Sequence, residues 1–379
     1  MAQKQAIPTN QMRPKILLAG VITPLNKEKD INAYYEEFLS LIKTLGLEYD
    51  EILYIKLRNI DKSTFLTKGK LKEISDFCHE KKIDEIIFSQ SLTPLQERNL
   101  EEILECTVWD REKLILEIFQ KSAHTAEGKI QVEMAQLEYQ KARLAGKGIE
   151  LAQQEGMIGV RGGPGETAKE VLKRYLADKF RQAKKRLDTL QRSRETQRKQ
   201  RLQSKLPLIC LVGYTNAGKS SLLNVLTKSD VLVEDKLFAT LDTTTRELFI
   251  DGKKIALISD TVGFISQLPH QLIEAFKSTL DELNYASLLL HVIDISNPNW
   301  QEQISVVEKT LKELNLNKDI LYVFNKIDKL NKENLKNLKP EIEKYTPYVL
   351  TSTKTIDKKT DKTADDIKDL LEYIKKTKY

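Results

Sequence analysis

The sequence predicts an α/β protein in three parts: an N-terminal parallel α/β domain, a helical hairpin with a coiled-coil seam, and a second, mostly parallel α/β domain. Three observations predict it. Strand-like and helix-like segments alternate over residues 1–123, near-heptad apolar stripes mark residues 124–204, and the alternation returns over residues 205–379. Alternating strands and helices favour parallel sheets with helical crossovers, whereas heptad-like spacing favours paired helices.

The first part contains four apolar or β-branched runs, each followed by a stretch with helical spacing. The predicted strands are residues 15–22, 51–57, 84–90 and 106–110. The predicted helices are residues 31–46, 70–82, 93–105 and 111–123. Four strand–helix pairs predict a small, mostly parallel sheet covered by helices.

The middle part carries two apolar stripes that predict an antiparallel pair of helices. The stripes consist of Ile130, Met134, Leu137 and Leu144, and of Leu172, Leu176, Phe180, Ala183, Leu187 and Leu190. The tip between them, residues 147–167, is rich in glycine and has Arg161 in its middle. Glycines there allow close approach to an irregular surface, and a merely flexible connector is the alternative.

Positive charge is concentrated in one segment. The chain has a net charge of +6, yet residues 168–205 hold fourteen Lys or Arg against four Asp or Glu, a local balance of +10. Such a segment favours contact with a polyanion or, equally, a solvated helix face.

Composition argues against several classes of protein. The N-terminus lacks an apolar stretch typical of a signal peptide, and no run of eighteen apolar residues is present, so we expect a cytoplasmic protein without a membrane span. Three widely separated cysteines, Cys78, Cys106 and Cys210, indicate reduced core residues rather than a metal site or a disulfide.

The third part begins with a phosphate-binding loop. The sequence GYTNAGKS (213–220) follows an apolar strand and precedes a helical stretch, which is the context that this motif requires. Backbone N–H groups around Gly213 and Gly218 can hold phosphate oxygens at the start of the helix. Lys219 can reach the β- and γ-phosphates, and the Ser220 hydroxyl can ligate Mg²⁺.

A second motif predicts the base. NKID (325–328) follows a strand, and Asp328 can accept hydrogen bonds from N1–H and the 2-amino group of guanine. Adenine cannot donate these bonds and would leave the carboxylate unpaired. Asn325 and Lys326 would brace the loop and lie along the base. TSTK (351–354) stands where a base-contacting backbone loop is expected.

Two segments between these motifs predict the response to the γ-phosphate. In DTVG (260–263), Asp260 can hold Mg²⁺ through a water, and the Gly263 N–H can contact the γ-phosphate. In FATLDTTTRE (238–247), Thr240 is our choice for a second Mg²⁺ ligand, with Thr243 to Thr245 as alternatives. The motifs together predict a P-loop domain over residues 205–379 that binds and hydrolyses GTP.

The predicted site residues follow from these motifs. Lys219, Thr240 and Gly263 are assigned to catalysis, and Ser220 and Thr240 to Mg²⁺. The predicted GTP-binding residues are Gly213, Tyr214, Thr215, Asn216, Ala217, Gly218, Lys219, Ser220, Phe238, Ala239, Thr240, Leu241, Asp242, Asp260, Thr261, Val262, Gly263, Asn325, Lys326, Ile327, Asp328, Ser352, Thr353 and Lys354.

Catalysis is expected to depart from the Ras pattern. Ras-like proteins place a water-orienting glutamine directly after the glycine of the third motif, where this chain has Phe264. A phenyl ring can neither orient nor polarise water, so slow intrinsic hydrolysis is expected. Asn216 also suggests a GTPase that uses a potassium ion as an activator.

Over nearly its full length, the chain resembles the HflX family of ribosome-associated GTPases. The resemblance rests on GYTNAGKS, FATLD, residues 260–280, LLLHVID (288–294) and NKID, and on LTPLQERNLE (92–101), residues 127–144 and GVRGGPGET (159–167). It implies a monomeric GTPase that needs Mg²⁺ at Ser220 and Thr240 and binds the large (50S) ribosomal subunit. The N-terminal domain and hairpin would contact rRNA, in ribosome splitting or rescue under stress, or in ribosome biogenesis.

Three other functions fit parts of the sequence. A metabolic P-loop kinase would need a substrate-binding insert, which is not evident, and would not need NKID with the threonine-bearing segment. A non-catalytic RNA-binding scaffold would not need Lys219, Ser220, Thr240 and Asp260 together. A GTPase of ribosome or tRNA maturation would share the third part, and only residues before it argue against that alternative.

Overall fold

The structure is a computed structural model that describes residues 13–24, 26, 30–144, 168–203, 206–228, 236–238, 244–266, 281–354 and 365–377. The chain divides into two compact units, Met1–Lys27 with Gly46–Leu114 and Glu28–Leu45 with Ile115–Tyr379. Within the described residues, no helix is long and apolar enough to cross a membrane.

The first unit is a parallel sheet with helices, which confirms the predicted fold class. Its strands are β1 (Ile16–Ile22), β2 (Glu51–Lys56), β3 (Glu85–Phe88) and β4 (Thr107–Trp109), in the order β2-β1-β3-β4 and all parallel. Two helices of this unit are α2 (Lys68–Lys81) and α3 (Pro94–Leu104). Its core combines the apolar faces of the central strands with those of these helices, including Ile74, Phe88 and Leu100.

Part of the stretch LTPLQERNLE (92–101) starts helix α3. Thr93 and Gln96 form a capping box, in which each side chain accepts a hydrogen bond from the other residue's backbone N–H. Pro94 follows at the first turn, where its missing N–H costs nothing. The Gln96 amide also donates to the Asp61 carbonyl at 3.0 Å, which fixes the helix start to the loop after β2. These residues therefore have a structural role.

The second unit begins with helices. They are α1 (Ile31–Leu45), α4 (Arg111–Ser122, of which the first turn belongs to the other unit), α5 (Ala126–Leu144) and α6 (Ala168–Gln203). Ile130 of α5 packs with Ala183 and Leu187 of α6, along the predicted seam. Glu133 and Arg186 form an ion pair between the two helices, with a shortest separation of 2.7 Å. The seam is therefore present as a helix–helix contact.

Helix α5 is buried more extensively than one seam requires. Val132, Ala135 and Tyr139 are also buried, and they do not lie on the predicted stripe. The Gln136 amide donates to Gln120 of α4 at 2.7 Å, so α4 covers this other side. The glycine-rich tip, with Arg161, lies outside the described residues. The three-part division at residues 123 and 204 stays a prediction.

The remaining chain forms the predicted second α/β sheet. Its strands are β5 (Leu208–Gly213), β6 (Thr244–Ile250), β7 (Lys253–Asp260), β8 (Leu288–Asp294), β9 (Ile320–Asn325) and β10 (Tyr348–Leu350). The order is β10-β9-β8-β5-β7-β6, parallel except for the antiparallel pair β6–β7. The helices are α7 (Lys219–Thr227), α8 (Trp300–Glu313), α9 (Lys332–Ile342) and α10 (Asp365–Lys376). The carboxyl ends of the parallel strands share one edge, where ligands of such sheets bind.

Strand β6 was not among the predicted elements. Its first two residues, Thr244 and Thr245, had been assigned to the segment that responds to the γ-phosphate. They pair with Asp260 and Ser259 of β7 in the antiparallel register. The Thr245 hydroxyl donates to the Ser259 hydroxyl at 3.4 Å. Alternative Mg²⁺ ligands at these two positions are thus held in a sheet, whereas Thr240 and Thr243 lie outside the described residues.

Candidate functional site

The phosphate loop links β5 to α7, and its last glycine is required by geometry. Gly218 has a φ of +96°, which L side chains rarely adopt. A Cβ there would lie 2.3 Å from Asn325 Nδ2. That amide is held in place, because it donates to the Ala217 carbonyl at 2.9 Å and Asn325 is fully buried. The phosphate loop and NKID are therefore packed directly against each other and joined by a hydrogen bond.

Lys219 begins α7 with its ammonium group inside the loop. Its Nζ donates to the carbonyls of Tyr214 at 2.8 Å and Gly213 at 3.2 Å. Burial lowers the pKa of Lys219 to about 8, a shift that nearby Asp260 opposes and Lys326 reinforces. Burial, reinforced by Lys219, lowers the pKa of His291 to about 3, so this buried histidine is neutral. Lys219 is thus a cation with few waters around it, suited to phosphate oxygens.

A hydroxyl and a carboxylate meet next to Lys219. Ser220 Oγ donates to Asp260 Oδ2 at 2.6 Å, which brings the start of α7 to the end of β7. Oxygen ligands of this kind are those that Mg²⁺ prefers, so the two residues fit the ion. Thr261 is fully buried and donates to the Leu211 carbonyl at 2.6 Å, which fixes DTVG to β5.

Backbone hydrogen bonds hold the end of DTVG against the phosphate loop. The Thr215 N–H donates to the Phe264 carbonyl at 2.7 Å, and the Phe264 N–H donates to the Gly213 carbonyl at 3.1 Å. Gly263 lies so close that a Cβ would be 2.9 Å from Thr215 Cα and 3.0 Å from Lys219 Nζ. The Gly263 backbone is therefore adjacent to the lysine predicted to bind the γ-phosphate.

The side chain of Phe264 is part of the hydrophobic core. It is 3% exposed and packs with Cys210, Val212, Leu289 and Val307 of this unit. The sequence identified the missing glutamine but not this role. Replacing Phe264 by alanine would leave a cavity that costs about 3–5 kcal/mol, so the variant reports on folding rather than on water activation.

Lys326 joins NKID to two neighbouring loops. Its Nζ donates to the Asn216 carbonyl and to Asp294 Oδ2, both at 2.7 Å. Lys326 has a φ of +64°, which turns the chain toward the phosphate loop. Asp294, at the end of β8, was not predicted as a site residue. LLLHVID had been noted only for its family resemblance, although its acidic residue at the carboxyl end of a strand is a usable signal.

The two loops that are predicted to bind the base contact each other. The Ser352 hydroxyl donates to Asp328 Oδ1 at 2.8 Å, and the Lys354 N–H donates to Ser352 Oγ at 3.4 Å. Ser352 is buried, whereas Asp328 is exposed. The Thr351 hydroxyl donates to Asn325 Oδ1 at 3.4 Å. Predicted residues from NKID and TSTK are thus brought together, with the Asp328 carboxylate oriented by a serine.

Helix α1 also reaches the site, which sequence reasoning missed. The Tyr214 hydroxyl donates to Glu37 Oε2 at 2.5 Å, and the Ser266 hydroxyl donates to Glu37 Oε1 at 3.2 Å. Tyr214 had been assigned to GTP only through its place in the loop, and nothing in the sequence signals a partner so distant along the chain. Phe238, another predicted residue, is buried against Phe119 of α4. Ala239, Leu241 and Asp242 lie outside the described residues.

Family models match three consecutive regions of the chain. Residues 32–120 match the model described as GTP-binding GTPase N-terminal, and residues 122–201 match GTP-binding GTPase Middle Region. Residues 208–326 match the model described as 50S ribosome-binding GTPase.

Two similar proteins carry the name GTPase HflX. GTPase HflX of Caldanaerobacter subterraneus subsp. tengcongensis is 44% identical over 84% of this chain and 73% of that protein. GTPase HflX of Lacrimispora saccharolytica is 45% identical over 86% of this chain and 76% of that protein. The crystal structure of a GTP-binding protein from the archaeon Sulfolobus solfataricus, in complex with GDP, is 24% identical, covers 89% of this chain and 93% of that chain, and gives a TM-score of 0.44.

Proposed function

The chain belongs to the HflX family of GTPases, and we propose that it is a GTP-controlled factor of the large (50S) ribosomal subunit. The observation that carries this proposal is the match of residues 208–326 to the 50S ribosome-binding GTPase model. The enzyme hydrolyses GTP to GDP and phosphate. We propose that it binds the subunit in its GTP form, as a cytoplasmic monomer, in ribosome splitting or rescue under stress, with a role in biogenesis as the alternative.

In the nucleotide site, each motif residue receives a proposed role. Asp328, oriented by Ser352, reads guanine, and Lys219 binds the β- and γ-phosphates. Ser220 would ligate Mg²⁺, with Asp260 holding it through a water and Thr240 completing the ligand set. The ion would neutralise charge that develops on the phosphates.

We also propose K⁺ as an activating ion beside Asn216, whose side-chain oxygen is a ligand type that alkali cations accept. The support for this proposal is that Asn216 belongs to the phosphate loop, where its backbone carbonyl accepts a hydrogen bond from Lys326 Nζ at 2.7 Å. GTP hydrolysis in K⁺ should then exceed hydrolysis in Na⁺ at equal ionic strength. Equal rates in the two salts would contradict a potassium site.

Helix α6 supports contact with a polyanion. Its described stretch has exposed side chains at Lys173, Lys179, Lys184 and Lys185, and Lys185 lies opposite the buried Ala183 and Leu187. The ion pair of Arg186 with Glu133 holds α6 on α5 and so fixes the direction in which these lysines project. We propose that this basic surface, the glycine-rich tip and the N-terminal domain contact rRNA.

A charge reversal on α6 tests this surface. Lys184→Glu with Lys185→Glu is expected to weaken binding to purified large subunits, because each lysine that neutralises a phosphate releases counterions. The slope of log affinity against log salt should fall by about 2 if both lysines contact phosphates. Co-sedimentation of the full-length protein, with a non-hydrolysable GTP analogue and with GDP, measures this at several salt concentrations.

The matched control is Lys332→Glu with Lys336→Glu, which makes the same charge change on exposed residues of α9. Full-length variants are preferable to deletion of residues 1–204. Deletion would also remove the contact of Glu37 with Tyr214 and the contact of Phe119 with Phe238. Equal loss in both double variants would show that net charge, rather than α6, is responsible. Equal binding with GDP and with the analogue would contradict GTP control.

A further inference from the structure

Three hydrogen bonds form a closed ring between α1 and the nucleotide site. The Tyr214 hydroxyl donates to Glu37 Oε2 at 2.5 Å and accepts from the Ser266 backbone N–H at 2.7 Å. The Ser266 hydroxyl donates to the other carboxylate oxygen, Glu37 Oε1, at 3.2 Å. We call these three residues the latch. It ties the second residue of the phosphate loop to the third residue after Gly263.

The latch extends a pairing that the backbone begins. Phe264 is bonded to the phosphate loop on both sides, through Thr215 N–H and the Gly213 carbonyl. Two residues further on, the Ser266 N–H donates to the Tyr214 hydroxyl and not to a backbone carbonyl. The segment from Gly263 to Ser266 is therefore fixed at both of its ends, and Glu37 fixes the outer end.

Further contacts join α1 and α4 to Leu237 and Phe238. The Leu237 N–H donates to Thr44 Oγ1 of α1 at 3.1 Å. The Phe119 ring of α4 packs edge-on against Phe238, with centroids 4.5 Å apart. Phe238 is 2% exposed, so this contact is a buried one. Helix α1 therefore contacts the G-domain residues at Thr44 as well as at Glu37.

The chemistry of the latch makes it a strong restraint. Tyr214 is buried, and burial with the adjacent Glu37 carboxylate raises its pKa well above the ordinary value. The hydroxyl therefore stays protonated and donates at every physiological pH. Hydrogen bonds between a hydroxyl and a carboxylate are shorter and stronger than those between neutral groups.

We propose that Glu37 is a positioning residue for GTP hydrolysis, which holds Gly263 in place through Tyr214 and Ser266. A Gly263 N–H that is fixed in advance stabilises charge on the γ-phosphate without reorganisation during the reaction. Losing the latch frees the outer end of the segment and leaves the phosphate loop itself intact. This inference goes beyond the proposed function, because it concerns hydrolysis by the protein alone and does not require ribosome binding.

The test uses the full-length protein with Tyr214→Phe, Glu37→Gln and both together. Tyr214→Phe removes two of the three bonds and is expected to lower single-turnover kcat by about tenfold, while GDP affinity changes less than about twofold. Glu37→Gln should have a smaller effect of the same kind, because an amide still accepts a hydrogen bond. The double variant should be little slower than Tyr214→Phe alone, since residues of one unit are not additive.

The matched control is Glu36→Gln, the same charge change on an exposed neighbour in α1, which should hydrolyse GTP normally. Thermal melting with GDP separates positioning from folding. If Tyr214→Phe does not fold, Ser266→Ala removes the hydroxyl contact with Glu37 and keeps the Ser266 backbone N–H, and a moderate loss of kcat is still expected. An unchanged or higher kcat, additive losses, or a parallel fall in kcat, GDP affinity and melting temperature would each overturn the proposal.

Discussion

Asp328→Asn should convert the protein from a guanine-binding to a xanthine-binding enzyme. The carboxylate is expected to accept from N1–H and the 2-amino group of guanine, and the change would place an amide donor opposite that amino group. GTP affinity should fall by about 100-fold or more, because two hydrogen-bond donors would then face each other and neither would have an acceptor. Xanthosine triphosphate, which has a carbonyl at position 2, should bind more tightly to the variant than GTP does.

The structure explains why the new amide would be oriented for this exchange. The Ser352 hydroxyl donates to Asp328 Oδ1, so after substitution it would donate to the amide oxygen. The amide NH₂ would then face the base. Competition of fluorescent GDP with GTP, xanthosine triphosphate and ATP measures the change. Asp319→Asn, an exposed aspartate just before β9, is the matched control and should keep the preference for GTP.

Two outcomes would contradict this assignment. The unmodified protein could bind ATP as tightly as GTP, which would remove Asp328 from base selection. Alternatively, Asp328→Asn could lose all nucleotides equally, which would indicate that the side chain holds the loop together through Ser352.

The elements that the sequence predicted best are those with local signals. The strand and helix bounds of the first unit agree within about three residues with the runs read from apolar spacing, because each element buries one face or both. The start of α3 also has a local signal, since Thr93, Pro94 and Gln96 provide a capping box and a favourable first turn. Glycines of the phosphate loop were identified in the same way.

The contacts that the sequence could not predict join distant residues. Glu37 and Tyr214 are 177 positions apart, and neither has a side chain that requires the other. Phe264 illustrates a different limit. A phenylalanine cannot orient the attacking water as a glutamine would, and this can be read from the sequence. Only its packing with Cys210, Val212 and Val307 shows that the ring belongs to the core. Strand β6 was missed because Thr244 and Thr245 were interpreted as possible Mg²⁺ ligands, although threonine also favours β-strands.

The residues that hold the Gly263 segment in place come from three parts of the unit. Because no glutamine follows Gly263, we expect backbone groups to organise the γ-phosphate, and the position of those groups depends on the residues that hold them. Phe264 supports them from the core, the Gly213 and Thr215 backbone supports them from the loop, and Glu37 supports them from α1. A change that moves α1 is therefore expected to change the rate of GTP hydrolysis.

Gly263→Ala should separate nucleotide binding from hydrolysis more completely than the latch variants do. The added Cβ would lie 2.9 Å from Thr215 Cα and 3.0 Å from Lys219 Nζ, closer than real Cβ atoms approach backbone. DTVG must then move away from the phosphate loop, which carries the Gly263 N–H out of reach of the γ-phosphate. A displacement of about 1 Å costs on the order of 100-fold in kcat, and that is the loss we expect. GDP affinity should change little, because GDP has no γ-phosphate to contact.

The matched control is Gly69→Ala in α2, where a Cβ has nothing within 4 Å. Single-turnover hydrolysis and fluorescent GDP titration measure the two expected effects, and melting temperature with GDP verifies the fold. Hydrolysis at the normal rate in Gly263→Ala would mean that the backbone at this position does not contact the γ-phosphate. The latch would then have no catalytic group to position, so this result would remove the physical basis of the role proposed for Glu37.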